Sequence, residues 1–185
     1  LLELQMGGEP IYPPQPAGIW RHVGRNAPKY KTSTETNRYR RGIFVIWRRS
    51  APYPAFTNFD APDRTSCVVN RSRTNTPLQA LTLLNDPMYW EMTKALGQHL
   101  HWSQNGDLRD RVKYGFVRTV TRMPSEREID VLVDLYEETV VQLTERPQDL
   151  ELLVGENEKS ASAALGAWYY LSNVLLNLDE TITRN

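Results

Sequence analysis

The 185-residue chain is 40% hydrophobic and 24% charged, enough for a folded domain with a real core. Its single cysteine, Cys67, excludes an internal disulfide framework and a cage of several cysteine ligands, and no stretch approaches the ~20 apolar residues of a membrane span. Net charge is zero but unevenly placed: residues 1–80 hold 12 Lys/Arg against 5 Asp/Glu, and residues 81–185 hold 10 against 17, so the basic half is expected to pack on the acidic half.

The chain opens "LLELQMGGEP", with no initiator Met and no charged segment leading into an apolar one. It is therefore expected to be a fragment of something longer. Ten of its 12 prolines precede residue 90, and "GGEPIYPPQPAG" (7–18) cannot be helical with Pro13, Pro14 and Pro16 in it. Residues 1–37 read as an extended, proline-rich arm of polyproline II character, strapped down by Ile11, Tyr12 and Trp20. Residues 38–185 read as one helical domain. In "RYRRGIFVIWRRS" (38–50) the apolar run Ile43 to Trp47 suits a buried strand or helix turn, and the helices downstream favour helix.

Helix signals are sharper from Thr76 onward. Thr76-Pro77 supplies an N-cap with proline in the first helical position, opening a short apolar helix expected to be buried, and Asp86-Pro87 repeats the device. The helix after Pro87 carries Met88, Met92, Ala95 and His99 on one stripe, with Leu96 beside it. Residues 108–121 repeat the pattern with Leu108, Val112, Phe116 and Val120. Ser125 and Glu128 form a capping box for a helix with Ile129, Leu132, Tyr136, Val140 and Leu143 on one face and acidic residues on the other. The last long helix shows Ala164, Trp168, Leu171, Leu175 and Leu178. In Trp168-Tyr169-Tyr170 at least one ring must lie outside the core. The expected fold is mostly α, an irregular helical cluster or bundle with the arm attached.

Few reaction classes survive inspection of the motifs. There is no His-Glu-x-x-His, no phosphate loop, no dinucleotide fingerprint and no Gly-x-Ser-x-Gly, so no catalytic residue is assigned. His22, His99 and His101 lack ligand spacing, and no metal is expected. Covalent haem attachment through Cys-x-x-Cys-His is impossible with one cysteine, so no cofactor is expected in this chain. The arginines are scattered and no nucleic-acid module is visible, so nucleic acid is not an expected partner. What stands out is a polar cluster in "FTNFDAPDRTSC" (56–67) and "RSRTNTPLQALTLLNDP" (71–87): Asp60, Asp63, Arg64, Arg71, Arg73, Asn75, Thr76 and Asp86. Two readings compete. Either the arginines pair with Asp60, Asp63 or Asp86 and with loop carbonyls, locking an irregular segment. Or they form an anion site beside the free N–H groups of the helix that Pro77 opens.

Together "YRRGIFVIWRRSAPYP", "FDAPDRTSC", "RSRTNTPLQALTLLNDP" and "LLNLDETITRN" resemble the planctomycete-type C-terminal domain of unknown function. That domain occurs in large exported proteins, often behind a planctomycetal cytochrome c-type domain. The resemblance implies an exported or periplasmic location, upstream domains of the same polypeptide as partners, and haem c only in such an upstream module. Asn70 and Thr181 depart from the family pattern. The expected function is a non-catalytic structural and interaction module. Its rivals are a contribution to an exported enzyme that binds anionic polysaccharide through the arginines, and docking of an electron-transfer partner.

Overall fold

The computed structural model describes residues 3–22, 29–103, 106–155 and 161–183. It comprises two compact units, Leu1–Met88 and Tyr89–Asn185. The fold is mostly α: eight α-helices and isolated β-bridges appear among the described residues.

In the first unit, residues 3–18 contain no helix and lie along residues 39–46. The Ile11 N–H donates to the Phe44 carbonyl at 2.8 Å, and the Ile46 N–H returns to the Ile11 carbonyl at 2.9 Å. Ile11 is buried, while the rings of Tyr12, Trp20 and Tyr30 meet edge to face with centroids 4.9–6.1 Å apart. Arg40 is the polar counterpart of this packing. It is 6% exposed, lies over the Phe44 ring at 4.0 Å, and donates to the carbonyls of Gln5, Gly7 and Glu9. Such a proline-flanked segment makes few backbone bonds of its own, so a buried guanidinium supplies the missing donors.

The run 38–50 differs from the expected helix. Only 3₁₀ turns form, at Glu35–Tyr39 and Gly42–Phe44, and Ile43 is 79% exposed. The backbone of Phe44 and Ile46 is engaged by Ile11, which removes it from helical pairing. Trp47 instead stacks on Phe56, 5.5 Å between centroids. Helix α1 (Pro54–Asn58) is a single turn, and α2 (Pro77–Asn85) opens with a complete capping box between Thr76 and Gln79. Contrary to the expectation of a buried helix, α2 buries only Gln79 and Leu83 and leaves Leu78, Leu81 and Leu84 about half exposed. Asn58 Nδ2 donates to Thr82 Oγ1 at 2.9 Å and ties α1 to α2.

The second unit is built from α3 (Pro87–His101) from Tyr89 onward, α4 (Leu108–Val120), α5 (Glu126–Glu145), α6 (Pro147–Val154), α7 (Ala163–Asn177) and α8 (Asp179–Ile182). Helix α7 is the central element: Trp168, Tyr169, Leu171 and Leu175 are fully buried, with α5 as its most extensive neighbour. Trp168, Leu171 and Leu175 join Leu96, Leu100, Val112, Phe116, Val120 and Leu132 in one core, and Tyr169 belongs to a second cluster with Val154 and Leu165. Tyr170 is 48% exposed, so the third ring of the aromatic triplet does fall outside. In α3 the buried face is Thr93, Leu96, Gly97 and Leu100, which keeps the expected Leu96 but not the Met88–His99 stripe, because α3 presents its small residue Gly97 to α7. Helix α6 was not expected; Pro147 starts it, and Val154 packs on Leu165 and Tyr169. Ser125 and Glu128 close the expected box, and Arg122 grips both Glu128 and Glu180 at 2.6 Å. Thr181, the departure noted above, donates its hydroxyl to the Leu175 carbonyl at 2.8 Å.

The approach of α3 to α7 makes a measurable claim. A Cβ at position 97 would lie 2.5 Å from Tyr169 Cδ1 and 3.0 Å from the Trp168 carbonyl oxygen, and the carbonyl is backbone that cannot swing aside. Gly97→Ala gains about 1 kcal/mol of helix propensity but overpacks this contact by more, about 1–3 kcal/mol. Thermal unfolding of the variant should show a Tm lowered by several degrees; an unchanged or raised Tm would show that the helices part freely.

Candidate functional site

Helix α1 ends in a left-handed turn. Asp60 has φ 57°, its N–H reaches the Thr57 carbonyl and the Ala61 N–H reaches the Phe56 carbonyl at 2.8 Å, the Schellman pattern. Aspartate tolerates this backbone region better than most residues. The turn has two consequences. The carbonyls of Phe59 and Asp60 face outward, and the Arg71 guanidinium donates to both, with Nε on the Asp60 oxygen at 2.8 Å. The Asp60 carboxylate reaches the returning limb, where it accepts from the Thr74 N–H at 2.7 Å and the Thr74 hydroxyl at 2.8 Å. Residues 60 and 74 are thus stitched together at the base of an otherwise irregular loop, a clasp.

Behind the clasp sits Gln79, only 1% exposed. Its Nε2 donates to Thr74 Oγ1 at 3.1 Å, its Oε1 accepts from the Thr76 N–H at 3.0 Å, and its own N–H donates to Thr76 Oγ1 at 3.3 Å. The amide that caps α2 therefore also fixes the threonine that holds Asp60. Gln79 was missing from the residues expected at the site, although the Thr-x-x-Gln spacing is a capping-box signal in the sequence.

The remaining expected residues scatter. Asp63 serves its own turn, accepting from the Thr65 N–H at 2.9 Å and hydroxyl at 2.8 Å. Arg64, at φ 62°, lies over the Trp47 ring at 4.6 Å, an arrangement that also brought Trp47 to the site unannounced. Arg73 and Asn75 are exposed on the returning limb and are engaged as well. Asp86 is at the far end of α2, about 13 Å along a helix of that length, where Oδ1 accepts from the Met88 N–H at 2.8 Å and caps α3. Arg71 thus takes backbone carbonyls of the loop, and Arg64 lies on an aromatic face.

At the loop's tip Cys67 and Val68 are exposed and Val69 is 98% exposed. Of the histidines, His99 meets the Tyr114 hydroxyl at 3.1 Å, and burial beside Arg111 lowers the pKa of His101. The side chain of His22 lies outside the described residues. Among the described residues no group of three or more His, Cys, Asp or Glu is placed to hold a metal ion. The chemistry this arrangement supports is positioning: guanidinium, carboxylate and amide all act on the chain's own backbone.

A family model described as "PSD1: Protein of unknown function (DUF1553)" matches residues 1–136, a span that contains the whole clasp. No curated protein and no solved structure matches the chain.

Electrostatics give the clasp a pH signature. The Asp60 carboxyl is held below its ordinary value, first by the Thr74 hydroxyl, then by the Thr74 N–H, with burial opposing and the Arg71 charge assisting. A depressed folded pKa stabilises the clasp fully above the unfolded value of about 3.9, and that contribution disappears as pH falls through the lower folded value. Acidification below about pH 4 should therefore lower the protection factor of the Thr74 amide, its exchange rate being taken relative to the intrinsic rate at the same pH. In Asp60→Asn the protection factor should already be low at neutral pH and change little on acidification; an Asp60→Asn profile matching the wild type would contradict the assignment.

Proposed function

We propose that this chain, which belongs to the PSD1 family of proteins of unknown function (DUF1553), acts as a non-catalytic structural and interaction module. In this reading, the clasp holds the loop 60–74 in one shape and presents its tip for docking to other domains of the same polypeptide. One observation carries the reading. The groups a ligand would need, the Arg71 fork and the Asp60 carboxylate, are already engaged by the chain's own carbonyls, N–H and hydroxyl. A guanidinium holding two carbonyls has less left for an external anion than one held free in a cleft. The exposed Val68 and Val69 then become the surface that a rigid base displays.

Placement at the C-terminal end of an exported, cytochrome c-associated protein belongs to the same proposal and is supported by the four quoted motifs. In such a protein haem c would reside in an upstream module. No helix among the described residues is long and apolar enough to cross a membrane.

Lysine provides the discriminating substitution, since its ammonium carries the same charge but cannot reproduce the planar fork across two carbonyls. Arg71→Lys and Arg71→Ala should both open the loop, with limited proteolysis between residues 60 and 74 about fivefold faster, the effect of losing roughly 1 kcal/mol from a local closing equilibrium. Neither should alter binding to sulfated dextran. If Arg71→Lys preserves, and Arg71→Ala abolishes, saturable binding to that polyanion, the arginines serve an anionic polysaccharide and the clasp reading fails.

A further inference from the structure

The first unit also contains a cleft of about 410 Å³ at the end of α2 away from the clasp. Pro14, Pro16 and Pro54 contribute apolar ring surface to it, and Asn58, Asn85 and Asp86 contribute polar atoms. The hydrogen bonds already made determine which polar atoms remain. The Thr82 hydroxyl donates to the Leu78 carbonyl at 2.8 Å, so its oxygen can only accept from Asn58, which must offer Nδ2 at 2.9 Å. Asn85 meets the Leu81 carbonyl at 2.8 Å, an acceptor, so it too must offer Nδ2. Both amides are thereby oriented, and each leaves its Oδ1 without a bonded donor among the described residues. Asp86 uses Oδ1 on the Met88 N–H and leaves Oδ2 without a bonded donor among the described residues.

The cleft therefore offers acceptors from groups whose donors are engaged elsewhere. Among its described lining residues there is no Lys or Arg, and Asp86 carries the single formal charge. Asn85 is the last residue of α2, so the partial negative charge of that helix end adds to the carboxylate. The opposite partial charge at the start of α3 is met by the Asp86 cap. Apolar walls with an acceptor-rich, negative polar side complement a group that is aliphatic along its stem and cationic at its tip.

We propose that this cleft binds an alkylammonium group, the stem against the proline rings and the ammonium at Asp86, Asn58 and Asn85. A lysine side chain and a free diamine share this chemistry. The proposal stands independently of the clasp reading, because it concerns different side chains.

The test is an NMR titration of the full chain with cadaverine and with Nα-acetyl-lysine methylamide, followed at the side-chain amides of Asn58 and Asn85. Saturable shifts are expected for both; tighter binding of the lysine derivative identifies a protein side chain as the source, tighter binding of cadaverine a free diamine, and either upholds the site. Asp86→Asn keeps the helix cap, since asparagine caps as well as aspartate, and should weaken binding about tenfold by removing the charged acceptor. Asn85→Asp, which adds a carboxylate, should tighten it. The proposal is overturned if 1-pentanol or valerate binds as well as the amines, if Asp86→Asn binds them unchanged, or if neither amine saturates by ~50 mM.

Discussion

Backbone carbonyls that belong to no helix and no sheet must still find donors, and in the first unit two arginines provide them. Arg40 takes the carbonyls of residues 5, 7 and 9, and Arg71 takes those of residues 59 and 60. Prolines create the need: each removes an N–H from the chain and blocks helix continuation before it. A guanidinium answers it well because one side chain presents several coplanar donors at fixed separation. The two sites differ in exposure, and this sets their weight. Arg40 is buried on a phenylalanine face, so removing it would strand carbonyls away from water, whereas the Arg71 bonds stand in solvent where water can replace them.

The second unit solves its backbone by regular helices, and its constraint is volume. Helix α7 is fully buried at Leu165, Ala167, Trp168, Tyr169, Leu171 and Leu175, so each neighbour must fit around large rings. Glycines mark the closest approaches: Gly97 lies against Tyr169 and the Trp168 backbone, and Gly115 against Leu100 and Leu175. At the ends of α4 and α5 the capping box, Arg122 and Glu180 form one exposed ionic knot, which holds the Glu128 carboxyl at about 2, first through Arg122 and then through Ser125. Its exposure makes it a device for alignment more than for stability.

Function follows the distinction between engaged and unengaged groups. At the clasp, every charge described in detail acts on the chain's own atoms, which is the support for the proposed scaffold role of the loop. At the cleft, hydrogen bonds internal to α1 and α2 orient amide oxygens and leave them without a donor among the described residues. The two regions lie at opposite ends of the same short helix, and α2 serves both, through Gln79 at one end and Asn85 and Asp86 at the other.

Local chemistry was legible in the residues alone. The caps at Thr76, Asp86 and Ser125, the helix starts at Pro77 and Pro87, and the apolar faces of α4, α5 and α7 each depend on neighbours within four positions, which spacing reports directly. The all-helical class followed from them. Only the tertiary structure decided which acceptors the arginines found, since Arg71 meets residues 59 and 60 and Arg40 meets residues 5 to 9 across long separations. It also rotated the buried face of α3 toward Gly97, because the size of Trp168 and Tyr169 on another helix dictated where a side chain had to be missing. And it drew residues 43–47 out of the helix their apolar run suggested: pairing with Ile11 satisfies that backbone, and no pattern within five residues can announce a partner more than thirty positions away.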